Sequence, residues 1–166
     1  MTVVPTSGAP ASTDFALTAT DCQPATFDAQ VAPKRGVAAL TWASAFESDG
    51  EPLTGVAVKA TKNVAVTLPP SLRGRAIGTL HLGTKSYVLK GSATALHRGK
   101  LQVSLAPGAK SFLKVSGLPA GTQRVEVDLK PGILRLRSPR QSYRLSASLT
   151  AASGTVSGLL VGGTYV

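Results

Sequence analysis

General acid–base and nucleophilic catalysis need groups whose protonation can be tuned, and in this chain the candidates are His81, His97, the Glu126/Asp128 pair and a Ser111-Phe112-Leu113-Lys114 string. The last has the S-x-x-K spacing of serine acyl enzymes, in which a helix sets the amine beside the hydroxyl. Here the string falls on a predicted strand, where positions three apart face opposite sides, and no S-D-N or K-T-G companion exists. Glu126 and Asp128 share one face of a predicted strand and are expected to pair with arginines across a hairpin. Both histidines lie on predicted strands beside polar neighbours, which predicts solvated surface imidazoles. Gly-x-Ser-x-Gly, Walker A and G-x-G-x-x-G patterns are absent, as are acid clusters with calcium-loop spacing. The single cysteine, Cys22, leaves no intrachain disulfide and no Cys/His zinc cluster. The expectation is a non-enzymatic chain with no cofactor and no metal.

The basic residues offer a different chemistry. Arg135, Arg137, Arg140 and Arg144 fall within ten residues, and Arg73, Arg75, Arg98 and Lys100 lie on predicted loops and turns. Net charge is +10, unevenly spread: six of eight acids but only two of eighteen cations precede residue 52, leaving −4 on residues 1–51 and +14 on 52–166. Such a body solubilises the protein or meets an anionic partner, an acidic polysaccharide or a nucleic acid, with Arg73, Arg75, Arg140 and Arg144 as the candidate contacts. Nucleic-acid readers interleave such charge with exposed aromatics, and near the arginine run only Tyr143 is available.

The elements that must carry these groups are strands. Three stretches repeat one pattern, apolar, any, Val, any, Leu, any, Pro, at Val64–Pro70, Leu101–Pro107 and Val125–Pro131. Apolar residues at i, i+2 and i+4 fall on one face of a strand, and the proline that follows cannot donate to a ladder. The copies start 37 and 24 residues apart, which argues against a fixed-period solenoid or propeller. Strands are predicted near 15–20, 26–31, 37–44, 55–60, 63–68, 75–82, 85–90, 93–97, 100–105, 111–115, 124–129, 133–137, 143–150 and 156–161. Gly, Pro, Ser and Asp mark the gaps, and no dozen residues carry a 3.6-residue apolar period. The fold class is all-β, an antiparallel β-sandwich, Ig-like or jelly-roll-like, with little or no helix.

Hairpin register follows from whether like faces meet. An even loop at Pro131-Gly132 sets Leu129 opposite Leu134 and Val127 opposite Leu136, with Asp128–Arg135 and Glu126–Arg137 as ion pairs on the other face. A two-residue turn at Arg98-Gly99 sets Leu96 opposite Leu101 and Thr94 opposite Val103, with His97 facing Lys100. Trp42, the only tryptophan, is expected in the core. A sub-boundary is weighed at 48–52, where turn residues cluster and charge changes sign.

Residues 1–14 read as a flexible linker or arm before a sandwich domain over 15–166, with neither the basic nor the apolar region of a signal peptide. No apolar run approaches the ~18 to 20 residues that span a bilayer, so no membrane insertion is expected. The uncharged tail from Thr155 would be an aggregation hazard if left unpaired, so it is expected to pair within the fold or with a neighbouring subunit, through Val156, Leu159, Leu160 and Val161.

From Val64 to about Ala151 the pieces run as a VTLP strand, a Gly-Thr-Lys turn before Tyr87-Val88-Leu89-Lys90-Gly91, an HRGKLQVSL hairpin and a GAKSFLKVSGL strand. This order resembles the Ig-like β-sandwich modules of large secreted or surface-anchored proteins of high-GC Gram-positive bacteria. The resemblance implies an extracellular or cell-surface structural or adhesive module without catalytic residues, self-associating or bound to neighbouring modules. No LPxTG anchor is present; Leu118-Pro119-Ala120-Gly121-Thr122 has its letters in another order. The alternatives are a phage or virus-like particle component and a binding module for anionic polymers.

Overall fold

Alternation of apolar and polar residues sets the inner face of each strand. Leu101, Val103 and Leu105 are buried while Gln102 between them is exposed, and Val125, Val127 and Leu129 are buried beside exposed Arg124 and Asp128. In the computed structural model, which describes residues 25–33, 39–48, 50–107, 111–138 and 141–164, these faces close on one another as two antiparallel six-stranded sheets.

The strands are β1 (Ala25–Pro33), β2 (Ala39–Ser48), β3 (Leu53–Lys62), β4 (Val64–Val66), β5 (Ala76–Leu82), β6 (Lys85–Lys90), β7 (Thr94–Arg98), β8 (Leu101–Leu105), β9 (Leu113–Ser116), β10 (Arg124–Leu136), β11 (Ser142–Ala151) and β12 (Gly154–Thr164). One sheet runs β1-β2-β10-β5-β6, with β4 also paired to β10; the other runs β12-β11-β3-β9-β8-β7. A 3-10 turn at Pro70–Leu72 is the only helical element among the described residues. The fold is a β-sandwich, as the composition and periodicity predict. The strand expected near 15–20 lies outside the described residues.

Among the described residues the core between the sheets is built mainly from Leu and Val, with Trp42, Phe46 and Phe112 as its fully buried aromatics. Trp42 is 1 % exposed and meets Phe112 edge to face, centroids 6.3 Å apart at 78°. Its indole Nε1 has no hydrogen-bond partner among the described residues. Two buried serines share this inner face of β2, and each hydroxyl finds a carbonyl: Ser44 donates to Val127 at 3.1 Å and Ser48 to Glu51.

The predicted hairpin at Pro131-Gly132 does not form. Residues 124–136 make one strand, β10, which pairs β2 along one side and β5 then β4 along the other. Four residues, 130–133, bulge against Thr41 alone, since Leu129 opposes Trp42 and Leu134 opposes Leu40. Pro131, which has no N–H to donate, and Gly132, at φ 97°, both sit in this bulge. The bulge also restores inward facing, so that adjacent Ile133 and Leu134 are both buried. Thr67 ties it down: its N–H donates to the Ile133 carbonyl at 2.8 Å and its hydroxyl to the Gly132 carbonyl at 3.0 Å. The Asp128–Arg135 and Glu126–Arg137 ion pairs fall with the hairpin, because seven residues on one strand separate Asp128 from Arg135 by ~20 Å.

The other hairpin does form, one residue later in register. The turn is Gly99-Lys100, with Arg98 opposite Leu101, His97 opposite Gln102 and Leu96 opposite Val103. Gly99, at φ 61°, supplies the left-handed position that Arg98 would have had to adopt in the earlier turn.

Candidate functional site

The candidate polyanion contacts Arg73, Arg75 and Arg144 do not converge on one feature. Arg73 and Arg75 flank the link from the 3-10 turn into β5, where Arg73 bridges Gly91 and the Gly91 N–H donates to the Arg75 carbonyl at 2.8 Å. Arg144 lies in the other sheet, on β11 opposite Lys62 of β3. Arg140 lies outside the described residues. Val156, Leu159, Leu160 and Val161 lie on β12, which pairs β11 from Gly154 to Thr164 with Leu160 as a bulge, and which forms the edge of its sheet.

His81 gains two neighbours that the sequence did not pair with it. Its Nδ1 is 2.8 Å from the Ser86 hydroxyl, and its Nε2 is 3.7 Å from Asp128 Oδ2, so Ser, His and Asp stand on three adjacent strands. A working triad needs the carboxylate hydrogen-bonded to the ring to fix its tautomer, and converging N–H donors for an oxyanion. Asp128 stands beyond hydrogen-bonding distance. Ser86 lies in extended backbone, where successive N–H groups point to opposite sides. The trio is a cross-strand polar ladder on a wet sheet face.

The same face carries a second ladder. Arg124 donates from Nε to Glu126 at 2.7 Å and from Nη1 to Glu47 at 2.9 Å, so one guanidinium joins β2 and β10. Glu126, by hydrogen bond and charge, and to a lesser degree Glu47, hold the Arg124 guanidinium above its usual value. Arg124 is thus the partner of Glu126 in place of the expected Arg137. Ser111 and Lys114 are likewise separate: Ser111 is half-buried before β9, and Lys114 is exposed on it. Among the described residues no three of His, Cys, Asp and Glu are grouped to hold a metal, and no helix is long and apolar enough to cross a membrane.

Among the described residues, three clefts adjoin at Tyr87. This residue faces inward from β6, the edge of one sheet, and Arg98 ends β7, the edge of the other. The Arg98 guanidinium lies 5.6 Å from the Tyr87 ring centroid, bridging the two sheets where they open. Three clefts share Tyr87 in their walls. One, of about 400 Å³, runs from Leu82 and Lys85 to Thr122 and Arg124; another, of about 540 Å³, lies between Arg98, Lys100, Gly117 and Ala120; a third, of about 400 Å³, lies over Lys85, Ser86 and Arg98.

The cleft floor is the 117–123 loop, and it is pinned on both sides. Leu53 donates its N–H to Thr122 at 2.7 Å, Ser48 to Gln123 at 2.8 Å, and the Thr122 N–H and hydroxyl both donate to Pro119. Gly117, at φ 66°, approaches the Lys100 carbonyl so closely that a Cβ would lie 1.8 Å from it. Arg98 and Lys100 are among the basic turn residues the sequence singles out, whereas Lys85 and Tyr87 figure there only as the end of the Gly-Thr-Lys turn and the strand after it, with no site role. The alternation in 85–90 does place Tyr87 on the face of Leu89. What no local pattern gives is that β7, from the other sheet, stops beside it. No protein-family model matches the chain, and no curated protein matches it.

Proposed function

We propose that this chain is a non-enzymatic structural module of an extracellular or cell-surface assembly, a unit that spaces or presents its neighbours. One observation carries the reading. β1 starts at Ala25, opposite Ser48, at the end of the sandwich where Leu53, Arg124 and Ser153 lie; β12 ends at Thr164, opposite Ser142, at the other end beside Lys62 and Asn63. Over the described residues the path therefore runs from Ala25 at one end to Thr164 at the other, about 34 Å apart for ten residues of strand. Units of this geometry join in series.

Load transmitted at Ala25 and Thr164 runs along the strands. β1 would then have to shear past β2 with nine facing residue pairs resisting together, rather than peel off pair by pair. The His81 and Arg124 ladders support the non-enzymatic part, since the groups that could catalyse are held as surface pairs. β12, the last strand of its sheet, is a route for contact with a neighbouring unit.

The test is to stretch a polyprotein of several full chains in series. Discrete unfolding events, each releasing on the order of 450 Å for the ~140 residues from Ala25 to Thr164, are expected. Featureless extension at low force would overturn the load-bearing role, and turnover of ester, glycoside or phosphodiester surrogates would overturn the non-enzymatic one.

A further inference from the structure

We propose that the clefts around Tyr87 form a binding site for an anionic polysaccharide, a glycan bearing carboxylate or sulfate groups. The site goes beyond the spacer role and does not depend on it, since a unit can bear load without binding a glycan and bind without bearing load.

The charge at the cleft is one-sided. Lys85, Arg98 and Lys100 line it, and among the described residues none of the three has a carboxylate within ion-pairing distance. The cation on the rim that is neutralised, Arg124, has both Glu47 and Glu126 turned to it on the outer sheet face. Three cations are thus presented without acids, each on a hairpin end whose backbone is fixed by the ladders of β5–β6 and β7–β8.

The rest of the lining fits sugar. Thr84, Thr122 and Gln123 supply hydroxyl and amide groups along the Lys85 side, and Leu118, Pro119 and Ala120 supply apolar surface for pyranose C–H groups. The loop is held by backbone hydrogen bonds before any ligand arrives, so little ordering has to be achieved on binding. Clefts of 400 and 540 Å³ accommodate sugar rings rather than a single ion. A single-stranded nucleic acid is the poorer fit. Its affinity comes from several aromatics that stack successive bases, and Tyr87, half-buried with Arg98 over its ring, is the only aromatic in the lining of these clefts.

The experiment measures binding of the full chain to fluorescent polygalacturonate, dextran sulfate, neutral dextran and single-stranded DNA at about 0.05 M and 0.5 M salt, conditions that separate screened from unscreened charge. Binding to polygalacturonate or dextran sulfate is expected, the preferred arm naming the acid group. The variant K85A/R98A/K100A is expected to bind at least tenfold more weakly, while R73A/R75A/R144A, with the same charge removed elsewhere, keeps wild-type affinity. Circular dichroism establishes that both variants fold. Equal losses in the two variants would overturn the proposal, because binding would then follow net charge. So would tighter binding to DNA, equal binding to neutral dextran, or no binding at the lower salt.

Discussion

Asn63 and Ser138 exchange two hydrogen bonds: Asn63 Nδ2 donates to the Ser138 carbonyl and the Ser138 N–H donates to Asn63 Oδ1, each at 2.8 Å. Asn63 is the one residue between β3 in one sheet and β4 in the other, and it stands at φ 51°, where asparagine is among the few non-glycine residues tolerated. It also donates to Gln141 at 3.1 Å and, through its carbonyl, accepts from the Arg137 N–H at 3.2 Å. The corner where β3 changes sheet thus holds the corner where β10 gives way to β11.

Two substitutions separate the two roles of Asn63. Asn63→Ala removes the clamp and keeps the left-handed strain, and is expected to lower stability by about 3 kcal/mol. Asn63→Gly removes the clamp but not the freedom to adopt positive φ, and is expected to cost about 1 kcal/mol less. Urea denaturation followed by circular dichroism measures both; equal losses would show that the backbone conformation contributes nothing.

Trp42 reports on the core. Trp42→Ala is expected to cost about 3–5 kcal/mol, as truncation of a fully buried aromatic does. Trp42→Phe is expected to cost only about 1–2 kcal/mol, because the buried indole N–H has no acceptor among the described residues and its removal offsets part of the lost volume. As the sole tryptophan, it should show blue-shifted emission that moves red in one step on unfolding.

Gly117→Ala should be damaging out of proportion to one methyl. The new Cβ would sit 1.8 Å from the Lys100 carbonyl oxygen at φ 66°, so either the β9–β10 loop or the β7–β8 turn must move. A loss of about 3 kcal/mol is expected in the same denaturation assay, together with weaker polygalacturonate binding.

Ser86 should behave as an ordinary serine. With Asp128 3.7 Å from the ring and Ser86 in extended strand backbone, whose successive N–H groups diverge, a fluorophosphonate probe is expected to leave Ser86 unlabelled at neutral pH. Mass spectrometry of the treated protein checks this, and stoichiometric modification of Ser86 would refute it.

Strand positions were largely legible in the sequence because period-2 alternation and Gly/Pro punctuation are local. Residues 85–90 coincide with β6, and 76–82 lies within the stretch expected at 75–82. Partners were less legible. Pro131-Gly132 carries a turn signal, and an even loop gave good apolar and ionic matches, yet β2, β4 and β5 offer β10 longer ladders on both sides than folding back on itself would. The Tyr87 cleft was hidden for a related reason. Its walls come from β5–β6, β7–β8 and the 117–123 loop, and it exists only where the edges of two sheets meet.

The central place of β10 has a kinetic consequence. The strand that joins β2 to β5 comes 77 residues after its ion-pair partner, Glu47 to Arg124, so during synthesis β2 stays without its inner neighbour until most of the chain has been made. Contacts that close loops of this length slow the search for the native pairing, which places this sandwich among proteins that fold in milliseconds to seconds rather than microseconds. Until residues 124–136 arrive, β2 and β5 each present a bare edge flanking the gap. A chain cut before Arg124 would keep those edges, and with them a route to aggregation that the finished sandwich closes.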